Sequence, residues 1–249
     1  MSGHSKWSTI KHKKASLDAK RGRVFTRIIK ELTISARLGG GDPTGNPRLR
    51  AAIADAKSAN MPADNIKRAI QKGTGELPGV TYDEVVYEGY GPGGVAVYLE
   101  VLTDNKMRTT PEIRHLFSKH GGNLGEANSV AWMFEKKGHI VVPTSAVTED
   151  RLMELALEAG ADDIRQTDGS FEVFTSPSAF NALRDALERE SIAFAEAELT
   201  MEAQTTVHLE GKRAQQCVKL LEALEEQDDV QHVHANLEVD SEDLEAEAS

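Results

Sequence analysis

The stretch GGDPTGNPRLRAAIADAKSANMPADNIKRAIQKGTG, residues 40–75, decides how the amino-terminal part of this 249-residue chain folds. Apolar residues recur at helical spacing on both sides of the break at Met61-Pro62. This pattern predicts one helix over residues 47–59 and another that begins at Pro62, runs to about Lys72 and ends at Gly73. The inward-facing residues are Leu49, Ile53 and Ala56 in the first helix, and Ile66 and Ile70 in the second.

A longer helix is predicted before this stretch, over residues 19–38. Its apolar residues follow the i, i+3, i+4, i+7 spacing of one helix face, and the run 39–43, GGGDP, ends it. Basic residues step by three and four along the opposite face, which we call the α1 stripe. The stripe consists of Lys20, Arg23, Arg27 and Lys30. Residues 1–76 are therefore expected to form a three-helix domain.

A basic arm precedes these helices. Residues 1–18 read MSGHSKWSTIKHKKASLD and carry four lysines but only three large apolar side chains, Trp7, Ile10 and Leu17. So little apolar surface cannot offset the entropy lost when a chain is ordered. We therefore expect a mobile arm that becomes ordered on a partner.

The periodicity changes after the predicted linker Leu77-Pro78-Gly79. Short Val- and Tyr-rich runs alternate with helical patterns, and Asp168-Gly169 is a strong hairpin signal. The order β-β-α-β followed by β-α-β-β-α-β predicts an α+β fold with helices on one face of an antiparallel sheet. The predicted strands are 81–89, 94–103, 129–135, 138–143, 163–167, 171–175, 193–202, 204–209 and 230–238, and the predicted helices are 109–119, 148–159, 177–190 and 211–226.

Charge is distributed very unevenly along the chain. Residues 1–75 contain 16 Lys and Arg against five Asp and Glu, whereas residues 76–249 contain 13 against 35. A basic module of net charge +11 is thus joined to an acidic body of net charge −22. A concentrated positive surface attracts a polyanion, and nucleic acid is the leading candidate.

Several classes of protein are disfavoured by the composition. The one cysteine, Cys217, excludes an intramolecular disulfide and a zinc site built from several thiolates, and it suits a reducing cytosol. No apolar run approaches the roughly 20 residues that span a bilayer. No nucleophile triad, P-loop or zinc-protease motif is present, and His232-x-His234 is interpreted as a pair of surface histidines. We expect a cytoplasmic, non-enzymatic protein with no cofactor, no metal and no membrane partner.

Several motifs resemble the YebC family. They are GHSKWSTIKHKK at 3–14, the stretch 40–75 quoted above, YEGYGPGGVAVYLEVLTDNKMRT at 87–109, and the turn at 121–124. The resemblance implies three domains, with one ferredoxin-like α/β domain inserted into another. The boundaries would be 1–76, 80–136 plus 204–238, the insertion 137–203, and an acidic tail 239–249. The resemblance also implies a DNA-binding transcriptional regulator, although bacterial and mitochondrial relatives resemble translation factors that act at the ribosome.

The candidate nucleic-acid contacts are the basic residues of the arm and of the three helices, together with Trp7 and His12. They are Lys6, Trp7, Lys11, His12, Lys13, Lys14, Lys20, Arg21, Arg23, Arg27, Lys30, Arg48, Arg50, Lys67, Arg68 and Lys72. Lys106 and Arg108, between a strand and a helix, are possible secondary contacts. Trp7 could stack on a base or anchor the arm by packing. The junction at Pro62 is interpreted as a helical hairpin rather than a DNA-reading helix-turn-helix. The partner is duplex DNA or, alternatively, ribosomal RNA within the ribosome.

Overall fold

The computed structural model describes residues 4–7, 19–167 and 169–240, with the backbone alone at 4–6 and 19–21. Its contacts divide the chain into two compact units. The first unit comprises Met1–Ala131 and Thr205–Ser249, and the second comprises Trp132–Gln204. The predicted division into three domains and a tail stays a prediction. The fold is mixed α+β, with a helical region followed by β-rich parts, as predicted.

Three helices form the amino-terminal region: α1 (Ala19–Gly39), α2 (Pro47–Ser58) and α3 (Ala63–Thr74). The side chain of Asn46 caps α2 by accepting a hydrogen bond from the Leu49 backbone N–H at 3.0 Å. The predicted ends of α3 were wrong by one or two residues. Pro62 lies just before the helix as its N-cap, and Gly75, with a positive φ of 82°, follows its last residue.

Gly73 lies inside α3 because two helices cross there. A Cβ atom at this position would lie 2.3 Å from the Thr33 carbonyl oxygen and 2.8 Å from the Ala36 Cβ, both on α1. Glycine therefore allows the close approach of α3 to α1 and does not end the helix. The core that these helices share contains Leu32, Ala36, Leu49, Ala52, Ala56, Met61, Ile66 and Ala69.

The first unit also contains a four-stranded antiparallel sheet. Its strands are β2 (Asp83–Tyr90), β3 (Ala96–Thr103), β4 (Asn123–Leu124) and β10 (Val230–Ala235), in the order β10-β3-β2-β4. Helices α4 (Lys106–Lys119) and α7 (Gly211–Glu226) bury apolar residues in the core of this unit. Helix α4 begins three residues earlier than predicted because the Asn105 side chain accepts a hydrogen bond from the Arg108 backbone N–H at 3.1 Å.

A smaller sheet contains the first described residues of the chain. Strand β1 (His4–Lys6) pairs antiparallel with β11 (Leu237–Asp240), which pairs parallel with β9 (Val207–Leu209). The adjoining Trp7 is 2% exposed and belongs to the core of the first unit. The expectation of a mobile arm is therefore wrong for residues 4–7, because strand pairing and indole burial supply the stabilisation that composition did not reveal. Residues 8–18, and 241–249 of the predicted tail, lie outside the described residues.

Glu88 explains why residues 129–131 are not the strand that the sequence predicted. Its side chain is buried and accepts hydrogen bonds from the backbone N–H groups of Asn128 at 2.7 Å, Val130 at 2.7 Å and Ala131 at 2.8 Å. These donors are thereby used by a carboxylate and not by a neighbouring strand. A short 3₁₀ helix, Ala131–Met133, follows instead.

The second unit has the order β-α-β-β-α-β. Its elements are β5 (Phe134–Pro143), α5 (Glu149–Glu158), β6 (Ala161–Thr167), β7 (Ser170–Thr175), α6 (Phe180–Arg189) and β8 (Glu196–Ala203). The strands form one antiparallel sheet in the order β6-β7-β5-β8, a ferredoxin-like arrangement. Two predicted strands, at 129–135 and from 138, are thus replaced by the single strand β5. The helices of the described ranges include none long and apolar enough to span a membrane.

Candidate nucleic-acid interface

Arg23 and Arg27 of the α1 stripe lie against the carboxyl-terminal end of α7. Arg23 pairs with Glu226 at 3.5 Å, and Arg27 donates a hydrogen bond to the backbone carbonyl of Glu225. The last turn of a helix carries unpaired carbonyl groups and partial negative charge, so cations are favoured there. Burial lowers the pKa of Arg27, and this effect outweighs the opposing influence of Glu225. Arg23 and Arg27 therefore join the helical region to the end of α7 within the first unit.

Lys30 forms the buried centre of this contact. Its ammonium group lies 2.6 Å from Asp229 Oδ1, 2.9 Å from the Asp228 carbonyl and 3.3 Å from the Leu102 carbonyl. The side chains of Lys30 and Asp229 are only 8% and 3% exposed. Interpreting Lys30 and Arg27 as phosphate contacts was wrong, because both cations are already desolvated and bonded within the chain.

Asp229 gathers four side chains from three parts of the first unit. Besides Lys30, it accepts hydrogen bonds from Thr109 at 2.6 Å, Arg108 at 2.8 Å and Thr103 at 3.2 Å. Burial alone would raise the pKa of Asp229, but these hydrogen bonds and the Lys30 charge hold it well below its ordinary value. The carboxylate therefore stays ionised and joins α1, β3 and α4.

Three further predicted cations, on α2 and at the start of α4, are also paired within the chain. Arg48 binds Glu31 through two nitrogens, at 2.5 and 2.9 Å, and reaches Glu84 at 2.7 Å. Its pKa is raised, chiefly by the hydrogen bonds to Glu31. Lys106 lies 3.4 Å from Asp83, and Arg108 also contacts Asp104 at 3.0 Å. These groups are partly exposed, so the pairs are weak, but each has an intramolecular partner.

Trp7 is an anchor and not a stacking platform. Its indole N–H donates to the Val233 carbonyl on β10 at 3.3 Å, and its ring is buried among apolar residues of the first unit. A side chain with 2% exposure offers no face to a base. The stacking hypothesis was therefore wrong, and the packing alternative describes the residue.

Helix α3 carries three predicted cations whose side chains face solvent. Lys67, Arg68 and Lys72 are exposed and make no hydrogen bond or ion pair with another residue of the described ranges. On α2, Arg50 is exposed and donates to the carbonyls of Pro43 at 3.1 Å and Thr44 at 3.4 Å. Sequence analysis missed Lys57, which is exposed on α2 one position after the buried Ala56 and could have been found from the helical period.

Seven predicted contacts belong to parts of the chain whose side chains the structure does not describe. They are Lys6, Lys11, His12, Lys13, Lys14, Lys20 and Arg21. These residues stay predictions.

The histidines are placed differently from the expectation. His234 is buried, with His232 stacked on it at 5.9 Å and Tyr98 at 6.1 Å between ring centroids, so the two are not both surface residues. Among the described residues, His208, Glu210 and Asp240 have potential metal-ligating atoms within 4.8 Å of one another. Within this cluster, His208 Nε2 lies 3.2 Å from Glu210 Oε1, and both side chains are at the surface.

Two family models match consecutive parts of the chain. Residues 5–76 match the family model described as the TACO1/YebC protein N-terminal domain, and residues 82–237 match the TACO1/YebC second and third domain. This chain belongs to the TACO1/YebC family.

Family members with similar sequences come from several bacteria. A protein of Desulfosudis oleivorans is 61% identical over 95% of this chain and 96% of its own length. One from Geobacter sulfurreducens is 57% identical over 98% of this chain and 99% of its own. Each is named a probable transcriptional regulatory protein. The crystal structure of a conserved hypothetical protein from Aquifex aeolicus has a TM-score of 0.85 and 49% identity, covering 94% of this chain and 96% of that one.

Proposed function

We propose that this protein is a non-enzymatic, cytoplasmic regulator of gene expression that binds DNA through its helical region. The observation that carries the proposal is the positive charge that stays exposed after the intramolecular pairs are counted. Arg50, Lys57, Lys67, Arg68 and Lys72 face solvent in a region of net charge +11, while the rest of the chain has net charge −22. The names of the bacterial relatives support a role in regulating transcription.

The physical basis of such binding is the release of counterions from the phosphodiester backbone. Each phosphate that a Lys or Arg neutralises contributes about −0.9 to the slope of log K against log salt on duplex DNA. If about six cations engage, the slope is near −5. Fluorescence anisotropy with a labelled duplex, titrated at NaCl concentrations from 50 to 200 mM, measures this slope. A slope near zero would remove the proposal.

A second candidate is a translation factor that contacts ribosomal RNA. It is favoured by the state of Gln71, an amide on the outer side of α3, which bonds to Glu76 at 3.3 Å and is therefore not free to contact a base edge. Shape and phosphate contacts suffice on structured RNA.

Sedimentation in sucrose gradients separates the two candidates. Comigration with ribosomes that is lost in a Lys11→Ala, Lys13→Ala, Lys14→Ala variant would favour the translation role. A protein that stays at the top of the gradient and protects duplex DNA from nuclease would favour the transcriptional role. Substitution is preferable to deletion of residues 1–18, because deletion would also remove the buried Trp7.

A further inference from the structure

We propose that the outward face of α3 is the surface that lies on the phosphodiester backbone, that it binds without distinguishing base sequence, and that Asp64 confines the contact to the part of the helix from Lys67 onward. The inference rests on the proposed function and specifies the site and its binding mode.

The face is defined by the helical period. Ile66 and Ala69 are buried, with Ile70 packed against the same core, and Gly73 meets α1. Residues three and four apart share one side of a helix. The opposite side therefore consists of Asp64, Lys67, Arg68, Gln71 and Lys72.

This face differs from the other predicted basic groups in its partners. The cations of the α1 stripe with described side chains, and those at Arg48, Lys106 and Arg108, all contact acids or helix carbonyls of the same unit. The three α3 cations have no such contact among the described residues. They can bind phosphate without first breaking an intramolecular ion pair, so their contribution to affinity is not offset by that loss.

The composition of the face argues against base-specific recognition. A helix that enters the major groove contacts base edges with its amino-terminal residues. Here the second residue of α3 is Asp64, whose carboxylate is repelled by phosphates on either side of the groove. Gln71, an amide suited to adenine, is held by Glu76. The cations Lys67, Arg68 and Lys72 all follow Asp64, so contact is confined to the later turns.

The first test neutralises the face in the full-length chain. Lys67→Ala, Arg68→Ala, Lys72→Ala should make the salt slope shallower by about 2.7, since each contact contributes about 0.9. Between 50 and 200 mM salt, the loss of affinity should then be about 40-fold smaller than for the wild type. The control is Arg114→Ala, Lys212→Ala, Arg213→Ala, which removes three exposed cations elsewhere in the first unit and should leave the slope unchanged.

The second test adds charge instead of removing it. Asp64→Lys should steepen the slope by about 0.9 and tighten binding to unrelated duplex sequences equally. Asp150→Lys is a matched control, because Asp150 is also the exposed second residue of a helix, α5, in the second unit. Circular dichroism at the assay temperature must show both variants folded. An unchanged slope in Asp64→Lys, or a gain equal to that of Asp150→Lys, would overturn the assignment.

The outcomes distinguish this inference from the function on which it rests. A wild-type protein with no salt-dependent binding would remove the proposed function itself. If the wild type binds with a steep dependence of log K on log salt and the α3 variants bind identically, the proposed function is retained. The assignment of the contact to the α3 face is then refuted. A more than tenfold preference for one duplex sequence that is lost in Arg68→Ala would refute sequence-independent binding alone.

Discussion

Replacing Asp229 by Asn should destabilise the first unit substantially. The substitution keeps the size of the side chain but removes the only carboxylate of the described residues that lies within 4.0 Å of the buried Lys30 ammonium. Lys30 would keep its carbonyl partners, Asp228 and Leu102, yet its charge would be left uncompensated at 8% exposure. Leaving one member of a buried ion pair unpaired is much more costly than losing an exposed pair.

The size of this destabilisation depends on which partners of Asp229 keep other contacts after the substitution. Arg108 is about half exposed and retains Asp104, and an Asn side chain can still accept a hydrogen bond from Thr109. Only the Lys30 charge is left without a compensating charge. We therefore expect the free energy of unfolding to fall by about 3 kcal/mol, the low end of the range for removing one partner of a buried ion pair. For a unit of this size the melting temperature would fall by about 6–12 °C.

The same carboxylate makes stability depend on pH in a defined direction. Its pKa in the folded protein lies below the unfolded value of about 3.9, so the unfolded chain takes up a proton first as the pH falls. The stabilisation is fully present above about pH 5 and is lost as the pH falls through the unfolded value toward the folded pKa of Asp229. The difference between the wild type and Asp229→Asn should therefore be constant from pH 5 to 7 and shrink in stronger acid.

Urea unfolding followed by tryptophan fluorescence can measure this difference. The chain has two tryptophans, and Trp132→Phe leaves the buried Trp7 as a reporter of the first unit. The control Asp83→Asn breaks the exposed contact with Lys106 and should cost about 1 kcal/mol or less. If Asp229→Asn lowers the free energy of unfolding by no more than this control does, the hydrogen-bond network around Asp229 does not stabilise the first unit.

Three other substitutions or measurements test the packing. Trp7→Ala should cost about 3–5 kcal/mol in the same urea assay, whereas Trp7→Phe should cost markedly less because most of the ring burial is kept. Gly73→Ala should cost about 1–3 kcal/mol through its clash with Thr33, while Gly45→Ala, with no atom within 4 Å, should be close to neutral. Burial raises the pKa of Cys217 to about 12, so its reaction with a thiol reagent at pH 8 should occur only on unfolding, and a fast reaction in the native protein would contradict its burial.

The sequence predicted well those features that depend only on residues close together in the chain. Helix α1 was expected over 19–38 and is found at Ala19–Gly39, since its apolar period needs no knowledge of the rest of the chain. The predicted ends of α3 were less accurate, because Gly73 allows close packing against Thr33, 40 residues away in the chain, and does not mark the end of the helix. The β-α-β-β-α-β order likewise indicated the antiparallel sheet of the second unit.

The orientation of the α1 stripe could not be predicted, because its partners are distant in sequence. Arg27 and Glu225 are 198 positions apart, and Trp7 and Val233 are 226 apart. A row of cations on an amphipathic helix has the same pattern whether it faces solvent or an acidic helix end. The distinguishing signal was the acidic run 225–229, EEQDD, whose role as a partner becomes visible only once the two elements lie together.

The positive surplus of residues 1–75 includes two physically different groups of cations. Part of the positive surplus of residues 1–75 is used within the chain, where Arg27 and Lys30 bind the end of α7 and Asp229. Such contacts are short, desolvated and little affected by salt. The exposed cations of α3 interact through water and are strongly screened, which suits a reversible contact with a polyanion. Net charge alone does not distinguish these two groups of cations. The burial and the bonding partners of each side chain do, and on these grounds the candidate nucleic-acid surface lies on α3 and not on α1.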